Sequence, residues 1–163
     1  MSSNESSILN GTRNIISSGV RNAIFGGVDN TISGNQSFIG AGDTHSITAN
    51  RSGICGGAYN SIAITNGQSF IGGGGYNSCN GSRSSICGGF TNFIGQSGAF
   101  IAAGYNNSVN SLRGGIVVGR NNSVTHNQAV VIGGISRNSQ AINEVTVDAL
   151  NHYNGINNIS DLS

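Results

Sequence analysis

Nine glycines stand at one fixed place in a phrase that repeats along most of this chain. The phrase opens on an apolar residue, at Ile8, Ile24, Ile39, Ile54, Ile71, Ile86, Ile101, Ile116 and Val131, so the steps are 15 to 17 residues. Three positions later comes glycine in every case: Gly11, Gly27, Gly42, Gly57, Gly74, Gly89, Gly104, Gly119 and Gly134. A position that takes only glycine calls for positive φ or close backbone approach, as a tight turn does. A short period spanning most of a chain means stacked repeats, and this decides the fold before any local motif does.

Two further columns complete the phrase. Asparagine falls six residues after the opening residue (Asn14, Asn30, Asn60, Asn77, Asn92, Asn107, Asn122), with His45 as the exception. At such a corner it can hydrogen-bond the turn backbone and ladder with its neighbours. Two residues later an apolar column returns as Ile16, Ile32, Ile47, Ile62, Cys79, Ile94, Val109 and Val124. Each repeat therefore reads as two short strands and two turns, and stacking them pairs every strand with its counterpart in the next coil. The expected fold is all-β, a β-roll or β-solenoid of about nine 15-residue coils, roughly 43 Å long. Recurrent glycine pairs and β-branched apolar residues oppose helix. The expected organisation is a tail at 1–7, the roll at 8–138 and a cap or foot at 139–163, with Val145–Val147 as a candidate extra strand.

Side chains alternate along a strand, so the residues flanking each opening residue face outward. They are apolar: Phe25, Phe38, Cys55, Phe70, Cys87, Phe100, Val117 and Val130 lead the set. They also alternate, since coils with Phe before the isoleucine carry Gly or Ala after it. Three residues before the isoleucine, Arg21, Gln36, Arg51, Gln68, Arg83, Gly98, Arg113 and Gln128 swap in the same rhythm. A contiguous apolar stripe marks an interface, and bulky layers followed by small ones suit three chains around an axis. The expectation is a parallel homotrimer with this face inward. A wider 30-residue coil, with Phe stacked on Phe in its interior, is the competing explanation. The second strand is small and polar outside (Thr31, Ser33, Ser46, Thr48, Ser61, Ser78), broken by Phe93.

The run Ser-Phe-Ile-Gly-Gly-Gly-Gly-Tyr-Asn-Ser at 69–78, with its Asn-x-Ile-x-Gly companion, resembles the head repeats of trimeric autotransporter adhesins and related repeats of phage and viral tail fibres. The resemblance spans about residues 8 to 134 and implies a trimeric left-handed β-roll used for adhesion. The sequence shows no signal peptide, coiled-coil stalk or anchor barrel, which favours a virion or extracellular fibre module. The run Asn-Thr-Ile-Ser-Gly at 30–34 is also similar to the grass ice-recrystallisation inhibitors, which are monomeric β-rolls.

Composition narrows the chemistry. Charged residues make up 8% of the chain, too few to keep it disordered and expanded, and the regular apolar columns give it a core to bury. Net charge is +1, and the seven arginines look dispersed, so neither a nucleic-acid surface nor a membrane span is expected. Three cysteines, Cys55, Cys79 and Cys87, read as free thiols filling space. His45, His126 and His152 occupy unrelated positions, and Gly72–Gly75 lacks the lysine and helix of a phosphate loop. Asp43, Glu144 and Asp148 would need a loop to gather them before they could bind calcium. No catalytic residue, metal or cofactor is expected. Candidate contacts for a glycan or protein receptor are Tyr59, Tyr76, Phe90 and Tyr105 near the first turn, with Phe93 on the polar strand. The expectation is a non-enzymatic structural and adhesive fibre module. The alternatives are an ice-binding monomer and a subunit of an end-to-end filament.

Overall fold

A computed structural model describes residues 5–64 and 67–147. The chain winds into a parallel β-solenoid of about nine coils, with no helix among the described residues. Strands bearing the opening residues form a ten-stranded parallel sheet, from Ser7–Ile8 to Val145–Val147. Strands bearing the second apolar column form an eight-stranded parallel sheet, from Ile15–Ile16 to Ser123–Val124. Pairing keeps each column in register: Ile39 lies opposite Ile54, Ile54 opposite Ile71, and Ile47 opposite Ile62. A third ladder, one residue per coil, crosses the first corner through Val28, Asp43, Ala58, Gly75, Phe90 and Tyr105. That column mixes chemical types, because the pairing itself is made by the backbone.

The core is the two inward columns and little else. Ile24, Ile39, Ile54, Ile71, Ile86, Ile101, Ile116 and Val131 meet Ile32, Ile47, Ile62, Cys79, Ile94, Val109 and Val124, all at 0% exposure. Each such burial contributes about 1.5–3 kcal/mol. The phenylalanines lie outside this core, at 37–51% exposure for Phe25, Phe38, Phe70 and Phe100. This overturns the wider coil with Phe stacked inside it: fifteen residues close a coil around two side chains, leaving no interior space for a ring.

Buried asparagines hold the first corner. Asn92 Nδ2 donates to the Gly104 carbonyl of the next coil (3.0 Å) and to the Gly88 carbonyl of its own turn (3.2 Å), while its Oδ1 accepts the Asn107 backbone N–H (3.1 Å). The same pattern links Asn60, Asn77 and Asn92. His45 takes the asparagine's place: its Nδ1 accepts the Asn60 N–H (3.1 Å), but its buried Nε2 has no hydrogen-bond partner. The glycine column follows from this corner. Gly27 has φ of +94°, and a Cβ there would stand 2.6 Å from Asn30 Nδ2.

Two more columns turn through positive φ with almost no glycine, Gly98 being the exception. Arg51, Gln68, Arg83 and Arg113 have φ between 52° and 73°, and Asp29, Thr44, Tyr59 and Tyr76 between 55° and 57°. Left-handed backbone costs a residue with a Cβ roughly 1–2 kcal/mol. Each such turn is tied to the coil before it, as when Arg51 N–H donates to the Asn35 carbonyl (2.7 Å) and Arg113 N–H to the Ser97 carbonyl (3.0 Å).

Parallel pairing continues beyond the ninth opening residue. Val145–Val147 pairs with Val130–Ile132, and buried Ser139 receives the Thr125 N–H at its Oγ (3.1 Å). Residues 148–163 of the expected cap at 139–163, the first four residues of the expected tail, and residues 65–66 lie outside the described residues.

Candidate functional site

Three surface columns could make contacts, and the 15-residue winding builds each of them. The first is the outward face of the ten-stranded sheet. Phe38 and Phe70 are each 38% exposed and Phe25 is 51% exposed; Cys55 and Cys87 are exposed on the same face, and Val117 and Val130 are half-buried. Leu9 and Ile132 extend the apolar surface toward either end. The winding brings the sequence-predicted face residues together on one sheet.

The alternation along this face has a cause within a single chain. The Phe38 ring lies over Gly53 of the next coil, where a Cβ would stand 2.7 Å from Phe38 Cζ. Phe100 lies over Gly115 in the same way, with Phe100 Cδ1 at 2.8 Å from the position a Cβ would take. Gly53 and Gly115 follow phenylalanine because the ring leans along the solenoid axis and fills the neighbour's side-chain space; Phe70 is followed by the small Ser85. A three-fold axis is therefore not required to explain the rhythm, although the rings keep more than a third of their surface in solvent.

The second column is aromatic. Tyr59 stacks on Tyr76 with centroids 4.8 Å apart and planes at 10°, Tyr76 meets Phe90 at 5.2 Å and 60°, and Phe90 stacks on Tyr105 at 6.0 Å and 2°. Four of the five candidate contact residues thus form one continuous stack across four coils. Gly75 makes room for it, since a Cβ there would lie 2.8 Å from Phe90 Cε2. Rings stacked on one another cover their own faces, so this stack offers edges and hydroxyls to a ligand and works chiefly as a clamp between coils. Phe93 joins none of these ring pairs; it sits half-buried on the eight-stranded sheet with its ring over Gly95.

The third column is basic, and it corrects the expectation of dispersed arginines. Arg21, Arg51, Arg83 and Arg113 are far apart in sequence, but the coil period brings all four onto one edge of the apolar face. Gln36, Gln68, Gly98 and Gln128 fill the coils between. Arg21 pairs with Glu5 (3.1 Å), and away from this edge Arg13 pairs with Asp29, whose carboxyl is held below its ordinary pKa chiefly by that hydrogen bond. Among the described residues, Arg51, Arg83 and Arg113 have no carboxylate partner. The charge is also segregated along the chain: residues 44–143 contain five arginines and no aspartate or glutamate. Sequence reading had both signals available, in the Arg/Gln rhythm and in the placement of the acids.

Several other titratable groups are engaged in the fold. Burial pushes the Cys79 thiol up to about 11 and depresses His45 below the usual imidazole value. Glu144 accepts the Gln140 and Ala141 backbone N–H groups and the Thr146 hydroxyl, and these bonds lower its pKa; it closes a turn. His126 Nδ1 lies 3.2 Å from Ser139 Oγ, and His152 falls outside the described residues. Among the described residues no three metal-capable side chains cluster, and no helix is long and apolar enough to cross a membrane. No protein-family model and no curated protein matches this sequence.

Proposed function

We propose that this chain is a non-enzymatic structural and adhesive module, a β-solenoid that assembles as a parallel homotrimer within a viral, phage or other extracellular fibre. One observation carries the reading: an apolar face runs along the ten-stranded sheet with phenylalanines 37–51% exposed. Monomeric proteins rarely leave so long an apolar surface to water. Parallel, in-register packing would set like coils against like, and three copies of any surface site at fixed spacing would convert weak contacts into avidity. A cell-surface glycan or protein is the partner class proposed.

Cysteine reactivity tests the interface directly. Cys55 and Cys87 sit on the proposed face, while Cys79 is buried in the core. In the assembled protein both face thiols should resist a thiol reagent. Phe70→Asp places a charge in the middle of the face and should unmask those two alone, leaving Cys79 silent until unfolding. Equal reactivity of Cys55 and Cys87 in wild type and variant would count against the interface. The lean of Phe38 over Gly53 within one chain favours a second reading, a monomer with the small polar outer face of its eight-stranded sheet turned to ice. Freely reactive face thiols together with thermal hysteresis would establish that alternative.

A further inference from the structure

The arginine edge is a surface of defined spacing, and among the described residues no carboxylate neutralises Arg51, Arg83 or Arg113. We infer that Arg51, Arg83 and Arg113 form a binding track for an acidic polysaccharide that carries one carboxylate on every second sugar. This rests on the adhesive part of the reading above and does not depend on how many chains assemble.

The argument begins with charge. An apolar interface normally has a polar rim whose charges pair with the partner's. Here a parallel copy at the same height has no acid to offer, because residues 44–143 contain no aspartate or glutamate. Among the described residues the counter-charge for Arg83 and Arg113 has no source within such an assembly, which points to a partner of another kind. Spacing then selects its kind. Successive arginines of the track are two coils apart, about 10 Å at the usual strand separation. A nucleic acid strand carries a phosphate about every 3.4 Å along a duplex, and single strands also need exposed aromatic faces to stack on. The spacing of about 10 Å does not match the phosphate repeat. Although Phe38 and Phe70 border Arg51, the Phe38 ring is laid over Gly53 of its own chain, and comparison with oligo(dT) decides the case of single strands. In an extended polysaccharide one sugar spans about the rise of one coil, so acids on alternate sugars fall into step with arginines on alternate coils. Gln68, between Arg51 and Arg83, presents an amide to the uncharged sugar.

One place on the track is shaped as well as charged. Where the rhythm calls for glutamine between Arg83 and Arg113, the chain has Gly98, and a notch of about 400 Å³ opens there. The Arg113 stem leans into it, with Cγ 3.3 Å from the position a Gly98 Cβ would occupy, and Leu112 supplies an apolar wall. Two guanidiniums flanking an apolar-walled notch suit a carboxylated sugar, with its ring against Leu112 and its acid between the arginines.

The test uses the purified full chain and fluorescein-labelled hyaluronan decasaccharide, which has one carboxylate per disaccharide. Oligo(dT) of similar length and neutral dextran serve as comparisons, with binding read by fluorescence anisotropy. Arg51→Gln, Arg83→Gln and Arg113→Gln can be made without threatening the fold, because Gln36, Gln68 and Gln128 already occupy the same column at the same positive φ. Each substitution should weaken hyaluronan binding roughly tenfold and flatten its salt dependence. Gly98→Gln, which fills the notch, should weaken it with no change of charge. Wild-type failure to bind hyaluronan, undiminished binding by the triple variant, or tighter binding of oligo(dT) would each overturn the track. Solution mass recorded on the same samples separates the two ideas: lost binding at constant mass is a failure of the site alone, and altered mass with binding intact is a failure of the assembly alone.

Discussion

Replacing Asn92 by alanine isolates what the corner asparagines contribute. The side chain is 1% exposed, and deleting it removes the acceptor of the Asn107 N–H together with the donor to the Gly104 and Gly88 carbonyls. The losses are unequal. The Gly104 carbonyl keeps a second bond from the Phe90 N–H (2.9 Å), whereas the buried Asn107 N–H is left with nothing. Orphaning a buried polar group costs about 1–3 kcal/mol, and the weakened carbonyls add part of one more such group. The expected loss is about 2–4 kcal/mol, or roughly 4–16 °C in Tm for a chain of this size. Urea unfolding followed by circular dichroism gives the stability. Amide exchange gives the location, since the Asn107 N–H should lose protection first. Asn110→Ala is the control: it removes an exposed contact to Ser108 Oγ and should change stability by less than about 0.5 kcal/mol. If Asn92→Ala were as mild as that control, the ladder would be a by-product of stacking rather than a cause of it.

Other predictions follow from the same geometry. His45→Asn should stabilise the protein by supplying the donor that Nε2 does not provide, by about 1 kcal/mol in thermal unfolding. Because burial lowers the folded-state pKa of His45, its favourable contribution is complete above the unfolded value of 6.5 and is lost as pH falls below it. Wild type should therefore weaken between neutrality and mildly acidic pH, and the asparagine variant should not. Ile86→Ala, at a fully buried site in mid-rod, should cost about 2–5 kcal/mol by denaturant midpoint. Tyr76→Ala breaks two ring contacts and should cost about 1–3 kcal/mol while leaving hyaluronan binding unchanged, because the stack lies away from the arginine edge.

Legibility in the sequence tracked how narrowly each position restricts its residue. Gly27 and its column could be read because φ near +94° and the packed Asn30 amide exclude any Cβ. The two inward columns could be read because a coil this thin admits only mid-sized apolar side chains. Positions governed by backbone alone left no mark. Arg51 and Tyr59 turn through positive φ without being glycine, and the third ladder runs through Asp43, Gly75 and Phe90 indifferently. Phe38 and Gly53 were visible as a large–small pair, but sequence could not show whether the ring fills space in its own chain or in a partner. The ring lies over Gly53 of its own chain. The aromatic residues were found by type, yet their mutual stacking depends on Gly75 letting Phe90 cross toward Tyr76, a relation that spans two different repeat positions. The arginine edge needed the coil period to be taken as a spatial ruler for charge as well as for the apolar residues.

The apolar face is the feature from which assembly and avidity are argued, so the solution mass of the purified chain is the most direct test. Light scattering at several concentrations should give a single species of three times the 16.5 kDa chain, and Phe70→Asp should reduce it to one chain. A wild-type mass of 16.5 kDa at every concentration would contradict the account and leave the apolar face without a partner of its own kind.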